Sequence, residues 1–277
     1  MRKSVPCDTC QHKHNYGFRE RGEKCNCAID GSKTRSDLVQ WLKYHGVGAA
    51  LDDATATYDQ IIGALRAGRK QLREALYFPQ TVEPLQTCIA NAHHAYIADS
   101  SEPWEYLDVG CGNMSLSRLV ANVIGAFPQG VDLVDRRGAR KNEGEVMLTF
   151  NGKDVPFPDG TFSVVTCLHV LHHAQEPEAL LKSIWNVLSQ GGLLIVREHD
   201  CRSWDDSYSI DFLHSALSEV FSDEVDVHEY RSRSGWRQAC TRAGFDLLER
   251  DGLEPGGCYR SYVDVFRKPY SNSLVSL

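Results

Sequence analysis

Two acids and two glycines at fixed spacing carry the first chemical argument. Asp108-Val109-Gly110-Cys111-Gly112 closes a short apolar run from Trp104, and Leu116, Leu119, Val120, Val123 and Ile124 follow at helical spacing. Glycine suits such a strand-to-helix turn: positive φ costs it little, and no Cβ bars a ligand from the backbone. The N–H groups opening the helix then face a polar or anionic ligand. Many strand–helix turns carry a Gly-x-Gly for packing alone. The distance to the next acids raises its meaning. Gly130-Val131-Asp132-Leu133-Val134-Asp135 ends another apolar run roughly twenty residues on, where nucleoside-binding βαβ units place a carboxylate that accepts from ribose hydroxyls. Asp132 is the candidate and Asp135 the fallback.

A second group of ionisable residues follows later apolar runs. Leu168 and His169 stand at the carboxyl end of the run Phe162–Leu168, the end where ligands bind in open α/β sheets. His172 and His173 come just after and read first as structural. Arg197-Glu198-His199-Asp200 ends the next run, and Asp211 and His214 share a helix face beyond it. His199, Asp200 and His214 are candidates for orienting a substrate or accepting its proton. The alternative is a polar network tying the loop to that helix.

Cys7-x-x-Cys10 and Cys25-x-Cys27 form the third group. Two thiolate pairs on tight turns can close a tetrahedron around zinc, and a segment so small has no other core. Residues 1–32 are therefore a candidate zinc knuckle with Cys7, Cys10, Cys25 and Cys27 as metal ligands. A mixed set using His12 or His14 is a variant, and a disordered leader with incidental cysteines is the alternative.

These groups need a scaffold. Strands are predicted near 104–109, 129–134, 145–149, 162–168, 192–198, 245–253 and 258–267. Helices are predicted from Asp37 to His45, with Ser36 as N-cap and Gly46 as stop, from Asp53 to Phe78, and from Val82 to Ala98. Further ones run from Glu176 to Leu188, Ile210 to Phe221 and Gly235 to Ala243. Alternating strands and helices imply a parallel sheet with helices on both faces. Arg66, Arg69, Lys70 and Arg73 share one helix face, either solvated or set against a phosphate-bearing substrate or RNA.

The wider motif set resembles the class I S-adenosylmethionine-dependent methyltransferases, of the ubiquinone and menaquinone biosynthesis branch. The likeness rests on the acid–Gly-x-Gly turn, Gly130-Val131-Asp132, the segment Val155-Pro156-Phe157-Pro158-Asp159-Gly160-Thr161-Phe162, Val170-Leu171-His172-His173, and Leu188-Ser189-Gln190-Gly191-Gly192. It implies a Rossmann-like seven-stranded α/β sheet, mostly parallel with a C-terminal antiparallel strand, over residues 101–270. A helical lid region over 33–100 precedes it, and 271–277 is a loose tail. The resemblance also implies S-adenosylmethionine as cofactor. Asp108 would serve the methionine end, Gly110 and Gly112 match the first two family glycines, and Met114 replaces the third, making the loop less open there. Asn151 takes the position of an aspartate facing adenine, with Asp154 as its substitute, and Leu168 and His169 line the cleft. Arg197-Glu198-His199-Asp200 with Asp211 and His214 is also similar to a methyltransferase-like group of large DNA viruses.

The totals narrow the acceptor. A net charge of −7 over 277 residues argues against a strongly basic nucleic-acid binder. No apolar run is long enough to span a bilayer, and Met1-Arg2-Lys3 lacks the apolar core of a signal peptide. The ten cysteines do not form a disulfide framework, which suits a reducing, cytoplasmic setting with structural zinc. The expectation is a methyltransferase acting on a small molecule, with RNA, such as a cap guanine, as the rival acceptor. A non-catalytic binding protein on the same scaffold is the third reading. The oligomeric state is not legible in the sequence.

Overall fold

The computed structural model describes residues 5–6, 13–14, 31–44, 46–53, 55–68, 104–202, 204–221, 229–253 and 260–270. In chain order these hold β1 (Val5–Pro6), β2 (Lys13–His14), α1 (Gly31–Tyr44), α2 (Tyr58–Ala67), β3 (Glu105–Val109), α3 (Ser115–Ile124), β4 (Phe127–Asp132), β5 (Val146–Thr149) and β6 (Phe162–Leu168). There follow α4 (Pro177–Val187), β7 (Leu188–His199), α5 (Trp204–Phe221), α6 (Arg233–Arg242), β8 (Asp246–Leu253) and β9 (Ser261–Arg267). Strands β1 and β2 pair with each other, antiparallel. The other seven form one sheet in the order β5-β4-β3-β6-β7-β9-β8. Strands β5, β4, β3, β6 and β7 run parallel, and β9 runs antiparallel to both its neighbours. This is the seven-stranded, mostly parallel sheet expected.

Side-chain alternation decides what each face holds. Leu107, Val109, Val165, Cys167, Leu194 and Val196 point to one face, where Leu180, Leu181 and Ile184 of α4 and Trp236 and Cys240 of α6 cover them. Tyr106, Val164, Leu193 and Ile195 point to the other, under Val120, Ala121 and Ile124 of α3. The central strands are buried on both sides, so they read as near-continuous apolar runs. Asp264 of β9, almost fully buried, binds Arg233 and Arg237 at 2.7 Å and pins α6 to the sheet. A separate core joins Leu38 and Leu42 of α1, Ile61 and Leu65 of α2, and Ile210 and Leu213 of α5.

Helix ends differ from expectation where local chemistry was misread. α2 begins at Tyr58 rather than Asp53, because Thr57 and Gln60 form a reciprocal capping box. Asp52 instead holds a turn through the N–H of Thr55. α1 starts ahead of Ser36, and α5 starts six residues before Ile210. Gly46, at φ 72°, stops α1 as expected. The remainder of the second predicted helix beyond residue 68, the third near 82–98, and the tail 271–277 lie outside the described residues.

Candidate active site

The strand order changes direction at β3, which pairs with β4 on one side and β6 on the other. Loops leaving these strands in opposite directions open a crevice at their carboxyl ends. The Gly110–Gly112 turn lies in it. Gly110 takes φ 76°, and a Cβ there would come within 2.2 Å of Val170 Cγ2, so the turn sits hard against the loop after β6. Gly112 takes φ 55° with nothing within 4 Å of where its Cβ would be. Its N–H donates to Asp132 Oδ2 at 2.7 Å, while Asp132 Oδ1 accepts from the N–H of Leu133. The ends of β3 and β4 are thus joined through one half-buried carboxylate. Beside it Leu133 and Val134 are 54% and 56% exposed, an apolar surface that a flat ring can cover.

Met114 does not narrow the loop as expected. It adopts the glycine-like φ of 66° and ends wholly buried with Cys111 and Met147. A Cβ on Gly130 would lie 2.5 Å from its sulfur, so glycine on β4 makes room for it. Asp108 is placed deeper than a ligand-facing acid. Strand alternation turns it to the α3 face, where its oxygens accept from Ser117 Oγ at 2.6 Å and Thr166 Oγ1 at 2.7 Å. Tyr106 and Thr166 hydroxyls lie 2.9 Å apart, extending the buried chain. Burial raises the Asp108 pKa to about 6 against the pull of both hydroxyls.

Asp135, the fallback ribose acid, is held by Arg137 and Lys141, which keep its carboxyl well below the usual range. That leaves Asp132 as the available acid. Asn151 folds back on its own turn. Its Oδ1 accepts from the N–H groups of Lys153 and Asp154, and its Nδ2 donates to Asp154 Oδ2 at 2.7 Å. Asp154 is exposed and adjoins Gly152, which packs near Leu133.

Beyond the turn lies a cluster of histidines. His169 follows β6 with φ 57°, a left-handed conformation that costs a non-glycine residue about 1–2 kcal/mol. Its ring lies 4.6 Å from that of His199 at the end of β7. His172 sits 5.3 Å from His199 and 5.1 Å from His214 of α5, centroid to centroid. His172 Nδ1 is 2.6 Å from Glu198 Oε2, and Glu198 Oε1 accepts from the N–H of Leu171. Burial lifts the Glu198 pKa to about 7 and holds His169, His172 and His214 well below the ordinary histidine value. His199 falls to about 3, chiefly by burial. His169 Nδ1, His172 Nε2 and His199 Nδ1 are buried without hydrogen-bond partners. Each such atom costs about 1–3 kcal/mol unless something else satisfies it.

The expected roles divide accordingly. His199 and His214 come together, with His172 and His169 beside them. Asp200 is turned elsewhere: it binds the Arg202 side chain and accepts from the N–H of Arg233 at 2.8 Å, tying the loop to α6. The Glu198 carboxyl goes to His172 and that of Asp200 to Arg202 and Arg233, so neither is directed at His199. Sequence reasoning missed the pairing of Glu198 with His172, the place of Tyr230 and the Ser117–Thr166 pair. Tyr230 donates to Asp211 at 2.7 Å and stands 3.4 Å from His214 Nδ1. Residue 230 carries no local signal, because only tertiary packing brings it to α5. Cys7, Cys10, Cys25 and Cys27 lie outside the described residues, as do Arg69, Lys70 and Arg73. Among the described residues Cys111, Cys167, Cys201 and Cys240 are buried thiols outside any disulfide, and no described helix is long and apolar enough to cross a membrane.

Residues 107–196 match the methyltransferase domain family. The ubiquinone/menaquinone biosynthesis C-methyltransferase UbiE of Vibrio campbellii is 29% identical over 147 residues, covering 46% of this chain and 56% of that protein. The sterol 24-C-methyltransferase erg6 of Aspergillus fumigatus is 31% identical over 194 residues, covering 62% of this chain and 48% of that protein. The chain spans about half the length of the curated relatives it matches. The CurJ carbon methyltransferase superposes with a TM-score of 0.55 over 77% of this chain and 61% of that one, at 15% identity, a likeness of fold.

Proposed function

We propose that this chain is a class I S-adenosylmethionine-dependent methyltransferase that transfers a methyl group to a small-molecule acceptor held at the carboxyl ends of β6 and β7, a reading supported by the match of residues 107–196 to the methyltransferase domain family and by its relatives. The observation that carries the reading is the Asp132 carboxylate bridging to the Gly112 N–H beside open space and exposed Leu133. An acid, a bare backbone and an apolar platform together fit a nucleoside. Asp132 would accept from the ribose hydroxyls, Leu133 would cover the base, and Asp154, oriented by Asn151, would accept from its amino group. Asp108 would act on the methionine end indirectly, by fixing α3 through Ser117. S-adenosylmethionine supplies a methyl on a sulfonium: the acceptor's electron pair forms the new bond while the carbon–sulfur pair returns to sulfur.

A small acceptor is favoured by the enclosure of the acceptor end, where His172 and His199 are buried. The names of two relatives, a quinone-pathway and a sterol C-methyltransferase, point the same way. His199 and His214 would orient the acceptor, and the strained His169 would shape the wall.

Calorimetry with S-adenosylhomocysteine tests the cofactor half. The wild type should bind, and Asp132→Ala should weaken binding roughly 10–100-fold, the worth of one or two hydrogen bonds to a charged group. An absence of binding by folded wild type would overturn the reading.

A further inference from the structure

The geometry points to a site for a divalent transition metal, zinc foremost, held by His172, His199 and His214 at the acceptor end of the cleft. One ligand atom from each ring lies within 4.8 Å of the other two. A tetrahedral site with bonds of about 2.0–2.1 Å sets its nitrogens roughly 3.4 Å apart, so modest side-chain rotation closes the set. The three rings come from three elements: the short turn Leu171–His173, the end of β7, and α5. No sequence spacing announces such a set.

Two of the rings are aimed by the same device. His172 Nδ1 lies against the Glu198 carboxyl and its Nε2 has no partner; an ionised Glu198 accepts from Nδ1–H and leaves Nε2 as the lone pair. Tyr230 gives its proton to Asp211, so at His214 its oxygen can only accept from Nδ1–H, which again leaves Nε2. Metal-bound histidines are characteristically held this way, the far nitrogen donating to a carboxylate or other acceptor. His199 adds an Nδ1 without a partner. Glu198 stands behind His172 and Asp211 behind Tyr230, each within hydrogen-bond distance, and Arg197 on β7 reaches Ser261 of β9.

Three histidines leave a coordination position open, as catalytic zinc sites do. Resting on the transferase reading, this position would take an oxygen of the acceptor, so the substrate class is a hydroxylated or enolisable small molecule. The bound cation lowers the pKa of that oxygen, and its proton leaves to solvent as the anion forms. The site then needs no separate base.

The test is titration of the metal-free full chain with cobalt(II) alone, followed by absorption, on wild type and on a variant with Cys7, Cys10, Cys25 and Cys27 changed to serine. The serine variant should bind one cobalt with visible ligand-field bands and no thiolate charge-transfer band. Glu198→Gln in that background should weaken binding roughly 10–100-fold. His214→Gln should abolish it. No cobalt bound by the serine variant, or unchanged binding in His214→Gln, would overturn the site. S-adenosylhomocysteine calorimetry on the same samples reports folding. Cofactor binding without metal sinks only the metal site, whereas metal binding without cofactor sinks only the transferase reading.

Discussion

Gly110→Ala isolates the contact that sets the two halves of the cleft against each other. Gly110 has φ 76°, and its absent Cβ would meet Val170 Cγ2 at 2.2 Å and Cγ1 at 3.2 Å. Two separable penalties follow. The left-handed conformation costs an alanine about 1–2 kcal/mol. Forcing a methyl into Val170 adds about 1–3 kcal/mol of overpacking. The sum is about 2–5 kcal/mol. Val170→Ala removes both offending carbons, so the double variant should recover the steric part and keep the conformational part. The coupling should be about 1–3 kcal/mol, in the stabilising direction. Urea unfolding followed by circular dichroism measures it through the midpoints of four chains. Losses that add within about 0.5 kcal/mol would show that residues 110 and 170 do not touch, and the packed turn would be wrong.

Two further predictions concern the same strand ends. The Asp108 carboxyl has its pKa raised from 3.8 to about 6 in the folded chain, so folding favours its protonated form. Its contribution to stability is therefore greatest at low pH and falls as pH rises from about 4 to 6, a loss of about 3 kcal/mol. Asp108→Asn should remove that slope, read as the difference between wild-type and variant stability against pH; parallel curves would refute the burial argument. Met114→Gly restores the residue expected at the third turn position, yet it should destabilise the chain by about 1–4 kcal/mol in thermal unfolding, because losing a wholly buried side chain outweighs relief of about 1 kcal/mol at φ 66°. A variant more stable than wild type would show that the sulfur fills no necessary space.

The sequence by itself determined the sheet and the Gly110–Gly112 turn proposed to face the nucleoside. Strand runs such as Phe162–Leu168 are legible because a buried parallel strand must be apolar on both faces. Asp132, Gly110 and Gly112 are legible because a turn that admits a ligand leaves few residue choices at each position. Helix starts were harder. Thr57 and Gln60 announce α2 only when read as a pair, whereas Asp52, just ahead of the predicted start at Asp53, closes a turn.

Tertiary structure alone decided how the polar residues divide. Asp108 reads as a cofactor acid, yet strand parity turns it toward Ser117 and Thr166. Asp135 and Asp200 look as available as Asp132 and Glu198 until the arginines around them are located. Met114 looks like a lost glycine, and only the space above Gly130 shows where its side chain goes. His172, His199 and His214 are separated by 27 and 15 positions in the chain, and Tyr230 lies 16 beyond His214. Local periodicity reports which residues share a strand or helix face. It carries no information on which loops meet when α5 folds back over the ends of β6 and β7, and that meeting brings a nitrogen of each of the three histidines within 4.8 Å of the others.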